Sequence, residues 1–316
     1  MAQGMIVKAL SGYYYVLPEI LVQSGESQAK IGKDHNLIQC RGRGILRKHK
    51  TPPLVGDRVI YELTENGEGM VDEILPRKTE LIRPPIANVT LAVLVFSLNE
   101  PALNLQLLDK FLVHIEHAGL ETLICFTKQD LITGASDNEA TDFVSETTKV
   151  YQLYESMGYN VLTTSAKKQE GITAVLDRLQ GIISVFSGQS GVGKSSLLNA
   201  MMPNLQLETN IISHKLGRGK HTTRHVELIP LGNGGWVADT PGFSQLDFLQ
   251  LEAEELSSCF IEFHALSEGC KFRGCLHQHE PDCRVKDALA QGAIAASRYE
   301  HYIQFLVEIK ERKRRY

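Results

Sequence analysis

Across the first 75 residues the apolar positions come in short β-branched or aromatic runs, broken by glycine and proline. Residues 13–17, 36–40, 59–63 and 69–74 each read as a strand, the last two following a turn at Val55, Gly56 and Asp57. Short strands so closely spaced predict a small barrel, with an OB-fold as one candidate. Residues 76–88 carry Pro76, Pro84 and Pro85 among several charges and read as a linker. Beyond them the rhythm changes. Residues 89–96 are a near-continuous apolar run, as in a strand buried on both faces. Residues 103–118 have helical spacing, 120–126 form another apolar strand, and helices over 140–157 and 172–179 flank a strand at 160–164. A strand at 182–186, a helix over 195–202 and a strand at 235–238 complete the pattern. Alternating strands and helices predict a parallel, doubly wound α/β sheet, which holds ligands beyond the C-terminal ends of its strands. Near the end, residues 288–309 read as one helix with Leu289, Tyr299, Tyr302, Ile303 and Leu306 on its core side.

Composition changes little. The 316 residues divide into a barrel over 1–75, the linker, an α/β domain over 89–248 and a helical domain over 249–316. No apolar run reaches the ~18 residues of a membrane span. The N-terminus lacks the basic-then-apolar layout of a signal peptide, so a cytoplasmic monomer without a membrane partner is expected. A net charge of −4 argues against a uniformly basic nucleic-acid binder. It hides two basic runs: Arg41 to Lys50 holds five Lys/Arg and no acid, and residues 310–315 are also strongly basic. The first joins two barrel strands, where it would meet RNA phosphates.

The chemistry is concentrated at the strand ends. Gly188, Gln189, Ser190, Gly191, Val192, Gly193, Lys194 and Ser195 fit the phosphate-binding pattern G-x-x-x-x-G-K-[ST], between a strand and a helix as that loop requires. Its glycines let successive N–H groups point at a β-phosphate, reinforced by the helix N-terminus; Ser196 lies one residue further on. Lys194 would bridge the β- and γ-phosphates, and the Ser195 hydroxyl would ligate Mg²⁺. Strand 120–126 runs into Thr127, Lys128, Gln129 and Asp130. A carboxylate at Asp130 accepts from guanine N1–H and the N2 amino group, where adenine presents the opposite polarity. The Lys128 stem would pack on the base. Ser165, Ala166 and Lys167 follow strand 160–164, and a backbone N–H there would reach the guanine carbonyl. Downstream, Gly217 to Arg224 is Gly-rich and polar, and Thr223, or failing it Thr222, would complete the Mg²⁺ shell. Strand 235–238 delivers Asp239, Thr240, Pro241 and Gly242. Asp239 would hold the metal through water, and the Gly242 N–H would sense the γ-phosphate.

These are the five guanine-nucleotide elements G1 to G5 of a GTPase in the order G4-G5-G1-G2-G3, a circular permutation that moves the termini but leaves the site intact. With a barrel before it and a cysteine-rich segment after it, the chain resembles the RsgA (YjeQ/YloQ) family over its whole length. The resemblance implies a GTPase that assists late maturation of the bacterial small ribosomal subunit, with rRNA, that subunit and guanine nucleotide as partners. Two departures from the general GTPase pattern stand out. Thr127 replaces the usual asparagine, so nucleotide affinity is expected to be modest. Phe243 replaces the glutamine that orients water in Ras-like enzymes; His221 is the candidate substitute. Slow intrinsic hydrolysis follows, accelerated when a partner orders the loops; groups supplied in trans give ~10³–10⁵ in rate.

Cys270, Cys275, His277 and Cys283 have the tight spacing of a closed, structural Cys3His zinc site. His279 competes as a ligand, but His277 matches the family spacing. Disulfides are not expected in a cytosolic chain, and Cys40, Cys125 and Cys259 read as buried hydrophobes. Only about residues 243–258 lie between Asp239–Gly242 and the zinc domain, so loss of the γ-phosphate is expected to reorient that domain. Two rival readings remain: a metabolic P-loop phosphotransferase, disfavoured because no acceptor-site motif accompanies the guanine elements, and a zinc-dependent nucleic-acid-binding regulator, which leaves the P-loop unexplained.

Overall fold

The computed structural model describes residues 1–23, 36–44, 46, 52–82, 84–131, 137–202, 226–239, 246–248 and 251–315. The N-terminal strands are β1 (Ala2–Leu10), β2 (Tyr13–Pro18), β3 (Ile38–Gly42), β4 (Arg58–Leu63) and β5 (Gly69–Ile74), with a short helix α1 (Glu19–Gln23) after β2. They pair in the order β1-β2-β3-β5-β4, and β4 pairs back onto β1. That closure makes the predicted barrel, with the strand order of an OB-fold. Met5, Val16, Leu17, Cys40, Val59 and Val71 fill it. Burial lifts the Cys40 thiol to about 12, so it packs as a neutral hydrophobe.

Residues 76–88, read as a linker, instead hold a two-stranded hairpin, β6 (Glu80–Ile82) and β7 (Pro85–Ala87). Its prolines flank the turn or open a strand, where no ladder N–H is lost. Leu81 and Ile86 are buried from it, and Arg77 bonds both oxygens of the fully buried Asp57 at 2.8 Å.

The central domain contains β8 (Val89–Ser97), α2 (Leu105–His117), β9 (Glu121–Thr127), α3 (Asp137–Ser156), β10 (Asn160–Thr163), α4 (Ile172–Arg178), β11 (Ile183–Ser187), α5 (Lys194–Met201), β12 (Glu227–Pro230) and β13 (Trp236–Asp239). The sheet runs β10-β9-β8-β11-β13-β12. The chain starts at β8, moves outward to β10, then crosses to β11 on the other side. The switch point between β8 and β11 is where such folds place a ligand. One correction concerns the far edge: β12 is antiparallel to β13, and β1 of the barrel continues the sheet through the pair Lys8↔Glu227. Barrel and α/β sheet thus share one core.

The C-terminal part contains α6 (Ile261–Ser267), α7 (Arg284–Ala290) and α8 (Ala296–Arg315). The single helix predicted over 288–309 is two, broken at Gly292, whose φ of 74° is left-handed. Tyr302 and Leu306 lie fully buried on the expected face of α8, joined by Phe305 and Ile309. This domain docks on α2. Arg298, 1% exposed, reaches Asp109 of α2 at 2.6 Å and Glu262 of α6 at 2.7 Å, while Tyr154 donates to Asp109 at 2.7 Å. Buried ion clusters of this kind fix a docking geometry more than they add net stability.

The same face carries a pH-sensitive contact. His114 stacks on Phe248 with centroids 5.1 Å apart, and Lys110 lies 4.7 Å over the same ring. Burial pulls His114 down to about 4, against an opposing backbone hydrogen bond with Leu246; Lys110 and His117 lower it further and Asp247 raises it. A base kept neutral inside the fold contributes fully above pH 6.5, and that contribution is lost as pH falls from 6.5 to about 4. The loss is on the order of 3 kcal/mol. His114→Phe keeps the stack and removes the titration, so urea unfolding midpoints of the two proteins should lie close at pH 7 and separate toward pH 4.5, where the parent falls below the variant. Parallel pH profiles would refute this assignment.

Candidate nucleotide site and metal centre

Three strand ends build one cavity. β9 ends at Thr127, β10 leads into Thr164 and Ser165, and β11 runs into the loop that opens α5. Thr127, Lys128, Asp130, Ala166, Lys167, Gly193 and Ser196 all line a cavity of about 540 Å³ at that point. Ser165 stands behind them: its hydroxyl donates to Asp130 Oδ1 at 2.6 Å and accepts the Lys168 N–H at 3.1 Å. That bond holds the Asp130 carboxyl below its ordinary range and fixes the carboxylate at the cavity wall.

The phosphate loop has the backbone its glycines require. At Gly188, φ is 145° and a Cβ would lie 2.0 Å from the Val95 carbonyl oxygen, so β8 leaves no room for a side chain. Gly193 caps α5 in the left-handed region at φ 99°. Lys194 folds back over the loop, donating to the carbonyls of Gly188 at 2.7 Å and Gln189 at 2.6 Å. Burial lowers its ammonium to about 8, which favours an arriving anion. Ser190 is exposed and Ser195 half-buried at the helix start.

Thr127 has its own arrangement. Its side chain is buried, and its hydroxyl faces the carbonyl oxygens of Val192 in the phosphate loop and Phe96 on β8, the latter at 3.2 Å. A threonine therefore ties the base strand to the phosphate loop where an asparagine usually stands. Lys128, left-handed at φ 61°, donates to the Glu100 carbonyl. Asp239 ends β13, one residue past the pair Val185↔Ala238, and so lies at the sheet end that carries the phosphate loop. His221, Thr222, Thr223 and Gly242 lie outside the described residues. Thr164 and Gln169 also line the cavity and carried no recognisable signal in the sequence.

In the C-terminal domain, one ligand atom each from Cys270, Cys275, His277 and Cys283 lies within 4.8 Å of every other. Cys270 Sγ is 4.0 Å from Cys283 Sγ and 3.7 Å from His277 Nδ1, which is 3.3 Å from Cys283 Sγ. A tetrahedral zinc with ordinary bond lengths has S···S and S···N edges of about 3.8 and 3.5 Å, so the donor set fits. The other ring nitrogen, Nε2, lies 3.1 Å from Ser267 Oγ, which donates to the Phe263 carbonyl at 2.8 Å and so accepts Nε2–H. Tyr299 and Tyr302 donate to the carbonyls of His277 and Leu276. Burial opposes ionisation of Glu280, yet the N–H groups of Leu276, Gln278 and His279 bring its carboxyl down to about 2. His279, the competing ligand, is exposed and outside the cluster.

Comparison with known proteins agrees with this architecture. The RsgA GTPase family profile matches residues 74–249, and the RsgA N-terminal domain profile matches residues 3–71. The chain belongs to the RsgA family. It is 54% identical to the small ribosomal subunit biogenesis GTPase RsgA of Bacillus velezensis and 50% identical to that of Geobacillus kaustophilus, over 100% of both chains in each case. The crystal structure of YloQ, a circularly permuted GTPase, superposes with a TM-score of 0.80 at 44% identity, covering 99% of this chain and 96% of that one. YjeQ from Thermotoga maritima superposes with a TM-score of 0.80 at 35% identity, covering 98% of each. The protein is a GTP hydrolase with a circularly permuted α/β domain, and the family implies use of Mg²⁺. Membership excludes both rival readings, the phosphotransferase and the zinc-dependent regulator. No described helix is long and apolar enough to cross a membrane.

Proposed function

We propose that the chain binds the small ribosomal subunit and assists its late maturation, hydrolysing GTP to GDP and phosphate with stimulation by the subunit. The observation that carries the nucleotide chemistry is one cavity of about 540 Å³ in which Asp130, Ala166, Lys167 and Gly193 converge. In this reading Asp130 accepts from the guanine edge while Ser165 holds it, and the Lys128 stem packs on the base. Lys194 leaves the Gly188 and Gln189 carbonyls for the β- and γ-phosphates. The Ser195 hydroxyl, Thr223 and Asp239 would hold Mg²⁺, which neutralises phosphate charge when bound, and the Gly242 N–H reports the γ-phosphate. His221 is the candidate for orienting the attacking water. Cys270, Cys275, His277 and Cys283 would hold one structural zinc.

The names of the RsgA relatives supply the partner, since those proteins are described as small ribosomal subunit biogenesis GTPases. The barrel over 1–75 and the zinc domain over 249–316 contact rRNA, and the α/β domain over 89–248 switches with nucleotide. The protein acts as a cytoplasmic monomer.

Asp130→Asn tests the base assignment. An amide accepts only one of guanine's two N–H groups but donates to the C2 carbonyl of xanthine. Affinity for GTP should fall roughly 100-fold and affinity for XTP should rise, because one matched polar pair is lost and another gained. Calorimetric titration with both nucleotides reads this directly. An unchanged GTP affinity would remove Asp130 from the base site.

A further inference from the structure

The outer face of the barrel carries a second arrangement that nucleotide chemistry does not use. Along β2, Tyr14 packs against the core beside the fully buried Cys40, its cross-strand partner. Alternation therefore turns Tyr13 and Tyr15 outward, with Arg41 of β3 beside Tyr13. The guanidinium of Arg41 lies over the Tyr13 ring, 4.8 Å from its centroid, and donates to the Tyr13 hydroxyl.

Arg41 is exceptional in its company. Lys8 pairs with Glu227, Arg43 with Glu62 and Asp72, and Arg58 with Glu19. Among the described residues no carboxylate lies within ion-pair distance of Arg41, whose contact is aromatic instead. Beside it opens a recess of about 530 Å³, bounded by Arg41, Met70 and the loop from Thr64 to Glu68. That loop is braced: Thr64 Oγ1 donates to the Glu68 carbonyl at 2.8 Å, and Asn66 Oδ1 accepts the Glu68 N–H at 3.2 Å.

We propose that the Tyr13–Arg41 pair is a stacking platform for one unpaired RNA base, seated with its edge toward this recess. This rests on the small-subunit reading above, which supplies RNA as the partner. An aromatic ring capped by a guanidinium offers a flat, cationic face, and base stacking on such faces is tolerant of sequence. A base within a duplex has both faces covered, so the occupant is single-stranded. The recess takes the base and not the backbone. Glu65 and Glu68 at its rim repel phosphate and accept from exocyclic amino groups, while the uncompensated charge of Arg41 attracts the sugar-phosphate chain on the other side.

The test compares binding of purified small ribosomal subunits, a fluorescent single-stranded RNA oligonucleotide and its duplex. Tyr13→Ala should weaken the subunit and single-strand affinities about ten-fold and leave duplex binding unchanged. Tyr13→Phe keeps the ring and should stay within about two-fold of the parent. Arg41→Ala should weaken binding and flatten its salt dependence. GTP hydrolysis without subunits should be unaltered in all three variants, which also shows that each is folded. Normal binding by Tyr13→Ala, equal defects in Tyr13→Ala and Tyr13→Phe, or an equal loss of duplex binding would each overturn the stacking platform alone. Failure of the unmodified protein to bind subunits would overturn it together with the small-subunit reading.

Discussion

Lys194→Ala lowers kcat/KM for GTP at least ~10³-fold, more than one uncharged donor contributes in a preorganised site. The reason lies in how the nucleotide-free loop is held. The ammonium sits between the carbonyls of Gly188 and Gln189 at 2.7 and 2.6 Å, so the loop is already shaped around a cation. Burial reduces its affinity for the proton to about 8, and the β- and γ-phosphates supply the missing negative charge. Binding of triphosphate therefore takes up a proton at high pH, and GTP affinity should fall as pH rises from about 8 toward 10.5. A cation held below its ordinary pKa also costs the empty fold stability below that range, so the variant should melt no lower than the parent at pH 7. Hydrolysis within ten-fold of the parent would place the transferring phosphate elsewhere.

Metal removal is the second large effect. Cys283→Ser, or a chelator applied to the intact protein, should release one zinc per chain and unravel the packing of α6, α7 and α8. Structural zinc contributes on the order of 10–16 kcal/mol in small metal-dependent modules, as much as the whole stability of an ordinary domain. The aromatic cluster of Phe260, Phe263, Tyr299 and Tyr302 packs around His277, and two of its hydroxyls bond to the carbonyls of Leu276 and His277. A zinc bound there and this core would hold each other in place. Hydrogen exchange across 261–309 should rise sharply, while nucleotide binding persists because the cavity at β9, β10 and β11 shares no ligand with this domain. Full protection of that segment without metal would make the cluster an incidental grouping of thiols.

What was legible in the sequence is what local chemistry dictates. The phosphate loop and the cysteine cluster are each written within about a dozen residues, and the buried strand 89–96 declares itself by an unbroken apolar run. β1 escaped notice because Gln3, Gly4 and Lys8 interrupt its alternation, and two of its three partners, β4 and β12, lie far along the chain. β12 is only four residues and ends in proline. The prolines that suggested a linker at 76–88 conceal a hairpin, which distant groups such as Asp57 help to secure. Thr127 read as a weakened motif; its contact with Val192, 65 residues away, is invisible until the sheet brings the two together. The Arg298, Asp109 and Glu262 cluster is similarly non-local, and three charged residues in unrelated helices carry no pattern to read.

The most direct measurement is GTP turnover with and without purified small ribosomal subunits, with ATP as control. The account predicts slow turnover of GTP alone, strong stimulation by the subunit and none of either with ATP. Equal turnover of GTP and ATP, indifferent to the subunit, would contradict it.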